Sequence, residues 1–173
     1  DFVAKDDSFR TFSADLAQAV LLHHPNSVND ASQLQLSTGE TVDATRQELI
    51  AKIGENISLR RFELVQAGTG EISGYVHGSR IGVIIRMDLS GHPELGRDIA
   101  MHVAASRPLC IDENEMPEDT LQKEREIYSA QAAESGKAPE IVEKMVTGRV
   151  KKFLKENTLV GQPFVKNPEQ SVG

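Results

Sequence analysis

IGENISLRRFELV (53–65), EISGYVHGSRIGVIIRMD (71–88) and PELGRDIAMHVAASRP (93–108) form the stretch around which the chain is organised. The first two pieces alternate apolar and polar residues and are rich in Val, Ile, Leu and Phe, the pattern of strands with one buried face. The third repeats apolar residues at helical spacing, with Leu95, Ile99, Met101, Val103 and Ala105. Two or three strands folded against one helix is the expected local unit. The fold class this implies is α+β, with antiparallel sheet layers packed against helices.

Upstream residues supply helices. DFVAK (1–5) leads into Asp6-Asp7-Ser8, a helix start with negative charge at the positive end of the dipole. Phe9, Phe12, Leu16, Ala19 and Val20 then fall on one face and Pro25 follows, so a helix is expected near 7–23. Residues 26–40 are polar, with Asn, Ser and Gly, and read as loop. A second helix is expected over 42–53, with Leu49, Ile50 and Ile53 inward and Gly54 as its stop.

DLAQAVLLHHP (15–25) and DIAMHVAASRP (98–108) share Asp, Ala, Val and Pro at matching offsets, with Leu16 against Ile99. The match suggests a duplicated strand–helix unit. The second copy has strands ahead of its helix, and those of the first would precede Asp1. The chain opens at Asp1 without Met and stops at Ser171-Val172-Gly173, so it reads as a fragment.

Residues 109–116 form an acidic connector. Pro117 opens a helix to about Ala133, with Leu121, Ile127, Tyr128 and Ala132 as its apolar positions. Gly136 breaks it, and Pro139 restarts a helix carrying Ile141, Val142, Met145, Val146, Val150 and Phe153. Joined by SGKAP (135–139), the two make an antiparallel hairpin whose apolar stripes pack on each other. Between 118 and 156 there are 8 acidic and 8 basic residues, interleaved, as on a solvated coiled-coil-like arm. TLVGQPFVKNPEQSVG (158–173) reads as an extended return onto the core, anchored by Phe164 and Val165. The expected division is 1–53, a first-subdomain remnant with its linking helix; 54–116, a second core subdomain; 117–156, the arm; and 157–173, the return.

Hydrophobic residues make up 39% and charged residues 26%, ordinary for a soluble globular chain. A formal charge of −7 argues against a dominant nucleic-acid or anionic-membrane surface. Cys110 is the only cysteine, so neither an intrachain disulfide nor a cysteine metal cluster can form, and a reducing cytosol fits. No apolar run reaches the ~18 residues of a membrane span. HExxH and Cys/His sets are absent, and metal ligation by the protein alone is not expected.

Ser73, Ser79 and Ser106 lack a GxSxG setting, and the acidic surroundings of Cys110 do not favour a thiolate. His23 and His24 suit a helix C-terminus, His92 the surface, and His102 ordinary packing. The glycines at 68, 70, 74, 78 and 82 lie between strands, as in hairpin turns. His77 and Arg80 stand on such a turn, where exposed side chains can meet a partner, though on residue chemistry alone a simple turn is the favoured account. No cofactor is implied. Residue chemistry alone favours a binding or regulatory protein. An interaction scaffold using the hairpin, and a hydrolase using His77 or His102 with a nearby carboxylate, stand as alternatives.

DFVAKDDSF (1–9), IAKIGENISLRRF (50–62), YVHGSRIGV (75–83), DIAMHVAASRP (98–108), KEREI (123–127), SGKAPEIVEKMVTGRVKKF (135–153) and LVGQPFV (159–165) together carry a more specific signal. In order and spacing they resemble bacterial elongation factor Ts, across essentially the whole chain. The resemblance implies two related core subdomains, a coiled-coil arm and a cytoplasmic factor that promotes guanine-nucleotide exchange. Its partner would be the GTPase elongation factor Tu, GDP-bound and nucleotide-free, with no direct contact to nucleic acid or membrane.

By the same resemblance, Asp1, Phe2 and Val3 match the Thr-Asp-Phe-Val motif. Its Asp-Phe pair wedges between helices of the GTPase near the magnesium and phosphate site. Ile53 and Gly54 match the Ile-Gly of the KIGEN motif, and His77 matches the His of the Tyr-x-His-Gly turn, a second contact toward the guanine pocket. The motif's leading Thr, the family's small N-terminal helical domain and its C-terminal helix lie outside this sequence.

Overall fold

The computed structural model of the chain describes residues 2–78 and 80–173. Its first unit is helical. The Asp6 carboxylate accepts the N–H groups of Ser8 (2.9 Å) and Phe9 (3.1 Å), satisfying two of the free donors that open helix α1, Asp7–His23. One 3₁₀ turn, Val3–Lys5, precedes it. The expected loop over 26–40 contains a short helix, α2, Val28–Gln33. Ser27 caps α2 by accepting the Asp30 N–H, and Ala31 is fully buried, so a local cap and one apolar anchor overcome the polar composition. Thr41 caps helix α3, Val42–Ile53, in the same way through the Ala44 N–H.

Phe12 and Ala19 of α1 pack with Leu36, Val42, Leu49 and Ile57 in one core. Phe9, Leu16, Ile50 and Ile53 close over it as the helical periodicity requires.

The second unit is a two-stranded antiparallel sheet under a helix. Strand β1, Glu71–His77, pairs with β2, Ile81–Met87, in a register running from Glu71 opposite Met87 to His77 opposite Ile81. Residues 53–65 do not add the third strand that their alternation suggested. Ile57 is drawn into the first core, and its carbonyl accepts Arg46 Nη1 at 2.8 Å. At the other end Arg86 of β2 donates Nε to the Ala67 carbonyl at 3.0 Å. The segment is thus held by side chains and packing.

Helix α4, Pro93–Ser106, packs on both strands. Its buried positions are Gly96, Ala100, His102 and Ala104, while Leu95 is exposed. The expected stripe of larger residues is displaced because the helix lies close to the sheet. A Cβ at Gly96 would run into the Ser73 side chain and come within 2.9 Å of Met87 Cε. Only small residues fit there.

The internal repeat has a backbone counterpart. α1 ends at His24 (φ 47°) and α4 at Arg107 (φ 48°), both left-handed, both non-glycine and each followed by proline. Their N–H groups return to the carbonyls of Val20 (3.0 Å) and Val103 (2.9 Å), the same relation in both copies. The buried positions Gly96, Ala100 and Ala104 of α4 correspond to Ser13, Ala17 and Leu21 of α1, which are exposed.

Helices α5, Glu118–Ala133, and α6, Pro139–Asn157, form the expected hairpin. Ala132 and Val150 are buried, and the Arg149 guanidinium lies 5.7 Å from the centre of the Tyr128 ring. Ile127 and Ile141 stay half-exposed.

The chain leaving α6 runs beside the connector that enters α5. The N–H groups of Leu159 and Val160 donate to the carbonyls of Cys110 (2.9 Å) and Ile111 (3.1 Å). It then forms a small hairpin of β3, Pro163–Phe164, and β4, Asn167–Ser171. Phe164 sets its ring 5.9 Å from that of His102, as the expected anchor. Val165 anchors differently: its side chain is exposed, and its N–H donates to His102 Nδ1 at 3.2 Å.

That bond makes Nδ1 an acceptor, so the ring proton lies on Nε2, 2.9 Å from Gln162 Oε1. Gln162 Nε2 in turn donates to the Glu156 carbonyl at 2.9 Å. Gln162→Ala strands a buried imidazole N–H, and we expect a loss of about 2 kcal/mol in urea unfolding with the helical circular dichroism unchanged. An unchanged midpoint would show that this clasp contributes nothing.

Candidate partner-binding site

Phe2 is 86% exposed. It caps the 3₁₀ turn, with its carbonyl accepting the Lys5 N–H at 3.1 Å, and Val3 beside it is half-buried. Asp1, the first residue of the expected wedge, lies outside the described residues. The turn is welded to α1 through Asp6, whose N–H donates to the Val3 carbonyl at 3.0 Å while its carboxylate caps the helix.

Ile53 and Gly54 end α3. Gly54 is left-handed (φ 81°), its N–H donates to the Ile50 carbonyl at 2.8 Å, and a Cβ there would meet nothing within 4 Å. The glycine therefore serves the turn itself, and its backbone faces open space. Lys52 Nζ reaches Ser8 Oγ at 2.5 Å, which sets the last turn of α3 beside the first turn of α1. Phe2–Val3 and Ile53–Gly54 thus share one end of the α1–α3 pair.

Arg46 fixes the chain just beyond Gly54. Its Nε and Nη2 donate to Asp43 Oδ1 (3.0 and 2.7 Å), and its Nη1 holds the Ile57 carbonyl. Hydrogen bonding to Arg46 pulls the Asp43 carboxyl below its ordinary value. The single arginine therefore sets the path that leaves α3.

His77 lies on a different element, the exposed end of β1, whose packing partner is α4. Its Nδ1 is 3.1 Å from the Tyr75 hydroxyl, and the two rings are 6.1 Å apart. Tyr75 entered the sequence analysis only as the first residue of the Tyr-x-His-Gly turn, with no role of its own. The available signal was its i, i+2 spacing from His77, which puts both on one face of a strand.

The other candidate groups have structural partners. His102 is buried between Gln162 and Val165, so its ring bonds go to an amide and a backbone N–H, not to a carboxylate. His24 is the left-handed cap of α1, and the N–H of His92 donates to Glu71 Oε2 at 3.1 Å. Burial, with Glu115 and Asp112 nearby, pushes the Cys110 thiol up, away from nucleophilic use. Among the described residues no group of three or more His, Cys, Asp or Glu is placed to hold a metal. No helix among them is long and apolar enough to cross a membrane.

The candidate groups are thus an exposed aromatic, an exposed helix end and, on a separate element, an exposed strand-end imidazole. Comparison with known proteins places the chain in a family. The family described as Elongation factor TS matches residues 1–173. Elongation factor Ts of Methylococcus capsulatus is 54% identical over 173 residues, covering 100% of this chain and 59% of the relative. That of Thioalkalivibrio sulfidiphilus is 54% identical with the same coverage, and that of Legionella pneumophila 49%. The chain belongs to the Elongation factor TS family. It spans about 59% of the length of these relatives.

The Arg46–Asp43 pair carries a pH signature. A carboxyl whose pKa is lowered on folding stabilises the fold above its unfolded pKa of about 3.9, and that contribution is lost as pH falls through the lower folded value. Asp43→Asn should therefore flatten the acid-side fall in melting temperature below about pH 4. Parallel acid profiles for the two proteins would contradict the pairing.

Proposed function

We propose that this chain promotes release of GDP from elongation factor Tu, as a guanine-nucleotide exchange surface working in the cytoplasm without covalent chemistry. The observation that carries the reading is Phe2: an aromatic 86% exposed, on a turn locked to α1, at the same end as Ile53–Gly54. A solvent-exposed aromatic on a rigid base is suited to enter a partner's apolar pocket, because little conformational freedom is lost on binding.

In this account Asp1-Phe2-Val3 is the wedge near the partner's magnesium and phosphate site, with Asp1 setting its register. Burying Phe2 stabilises an arrangement of the GTPase in which the elements that hold Mg²⁺ and phosphate have moved apart. Ile53, Gly54 and His77 form the second contact. The chain contributes no cofactor, and the GTPase supplies both metal and nucleotide.

The proposal is tested by stopped-flow release of a fluorescent GDP from elongation factor Tu, with and without the chain. Buried aromatic anchors are worth about 2 kcal/mol or more, so Phe2→Ala should slow the stimulated release by roughly thirtyfold. Acceleration that survives Phe2→Ala unchanged would remove the wedge and shift attention to the α5–α6 arm as the binding element.

A further inference from the structure

We propose that Tyr75 is a positioning residue for His77, holding its ring in one tautomer so that Nε2–H faces outward as a hydrogen-bond donor to the partner. This deepens the second contact of the proposed exchange surface and rests on that reading. The partner group it selects is an acceptor, either a backbone carbonyl or a carboxylate.

Residues 75 and 77 point to the same face of β1, so the Tyr75 ring lies alongside the imidazole at the strand's exposed end. The phenol oxygen is 3.1 Å from Nδ1, the separation of a hydrogen bond. A phenol is a good donor, and an imidazole sp² nitrogen is a better acceptor than the phenol oxygen. The O–H therefore points to Nδ1 and the ring proton is left on Nε2.

Tyr75 is itself held. It is half-buried and lines a cleft of about 430 Å³ with Arg97, Asp98 and Met101 of α4 and with Lys166 of the return segment. Lys166 Nζ is 2.6 Å from Asp98 Oδ1, so the cleft wall is braced by an ion pair between the return segment and α4. His77, by contrast, is exposed, and its side chain bonds to Tyr75. Without the phenol, an exposed imidazole divides its proton between two nitrogens and its ring among several orientations. The contact then costs additional ordering on binding.

The test begins with the free chain. In ¹⁵N-labelled protein at mildly alkaline pH, long-range ¹H–¹⁵N correlations should show the His77 proton on Nε2 alone. In Tyr75→Phe, which keeps the ring packing, the two ring nitrogens should move toward each other in shift. The same spectrum in both proteins would overturn the proposal without touching the exchange assignment.

The second arm is GDP release. Tyr75→Phe should slow stimulated release roughly three- to tenfold, and the same change in a His77→Ala background should have no further effect. If His77→Ala slows release and Tyr75→Phe does not, the positioning role fails and the second contact stands. If His77→Ala leaves release unchanged, both fail. An equal, additive loss from Tyr75→Phe in the two backgrounds would mean that Tyr75 acts apart from His77, and would also reject the proposal.

Discussion

The second half of the molecule depends on one buried imidazole. His102 has no solvent exposure and uses both ring nitrogens, accepting from the Val165 N–H and donating to Gln162. Those two partners lie about sixty residues away in sequence, beyond the entire α5–α6 arm. A buried polar group left unpaired costs more than a formed bond contributes, so the clasp disfavours any other course of the return segment. It closes the base of the arm onto α4, and α4 in turn carries β1 and β2. The same helix thus carries the clasp on one side and, through the close approach at Gly96, the strand that bears Tyr75 and His77 on the other.

The first half is built on caps and one arginine. Asp6 ends the 3₁₀ turn and opens α1 at once, so the Phe2 backbone lies one hydrogen-bonded turn from the helix. Arg46 spans from Asp43 to the Ile57 carbonyl, holding the chain on the far side of Gly54. The proposed exchange role would draw on exposed residues at the ends of short segments tied to helices. A wedge that flexed would spend its binding energy on becoming ordered.

Much of this was legible in the chain itself. Helical periodicity placed α1, α3, α4 and the α5–α6 hairpin, because those helices carry clear caps, prolines and terminal glycines. The internal repeat surfaced again as matched left-handed residues at His24 and Arg107. What periodicity missed was set by tertiary contacts. Residues 53–65 alternate like a strand, yet Ile57 and Arg46 commit them to the first core. The large residues of α4 looked like its inner face, but the closeness of the sheet selects Gly96, Ala100 and Ala104. Val165 was expected to anchor by its side chain and does so by its N–H. Of the proposed contacts, Asp1, Phe2, Val3, Ile53 and Gly54 were named through family resemblance, and His77 through the resemblance together with its place on a turn. Tyr75 needed coordinates, since a tyrosine two residues from a histidine is unremarkable until the oxygen and nitrogen are seen 3.1 Å apart.

The central claim is thermodynamic: a factor that loosens a nucleotide must itself bind the empty GTPase more tightly, by the same factor. A ligand with equal affinity for both states shifts nothing. The direct measurement is calorimetric titration of this chain into elongation factor Tu, once nucleotide-free and once saturated with GDP. The account predicts tighter binding to the nucleotide-free form, by the ratio in which the chain weakens GDP affinity. Equal affinity for the two forms would contradict it.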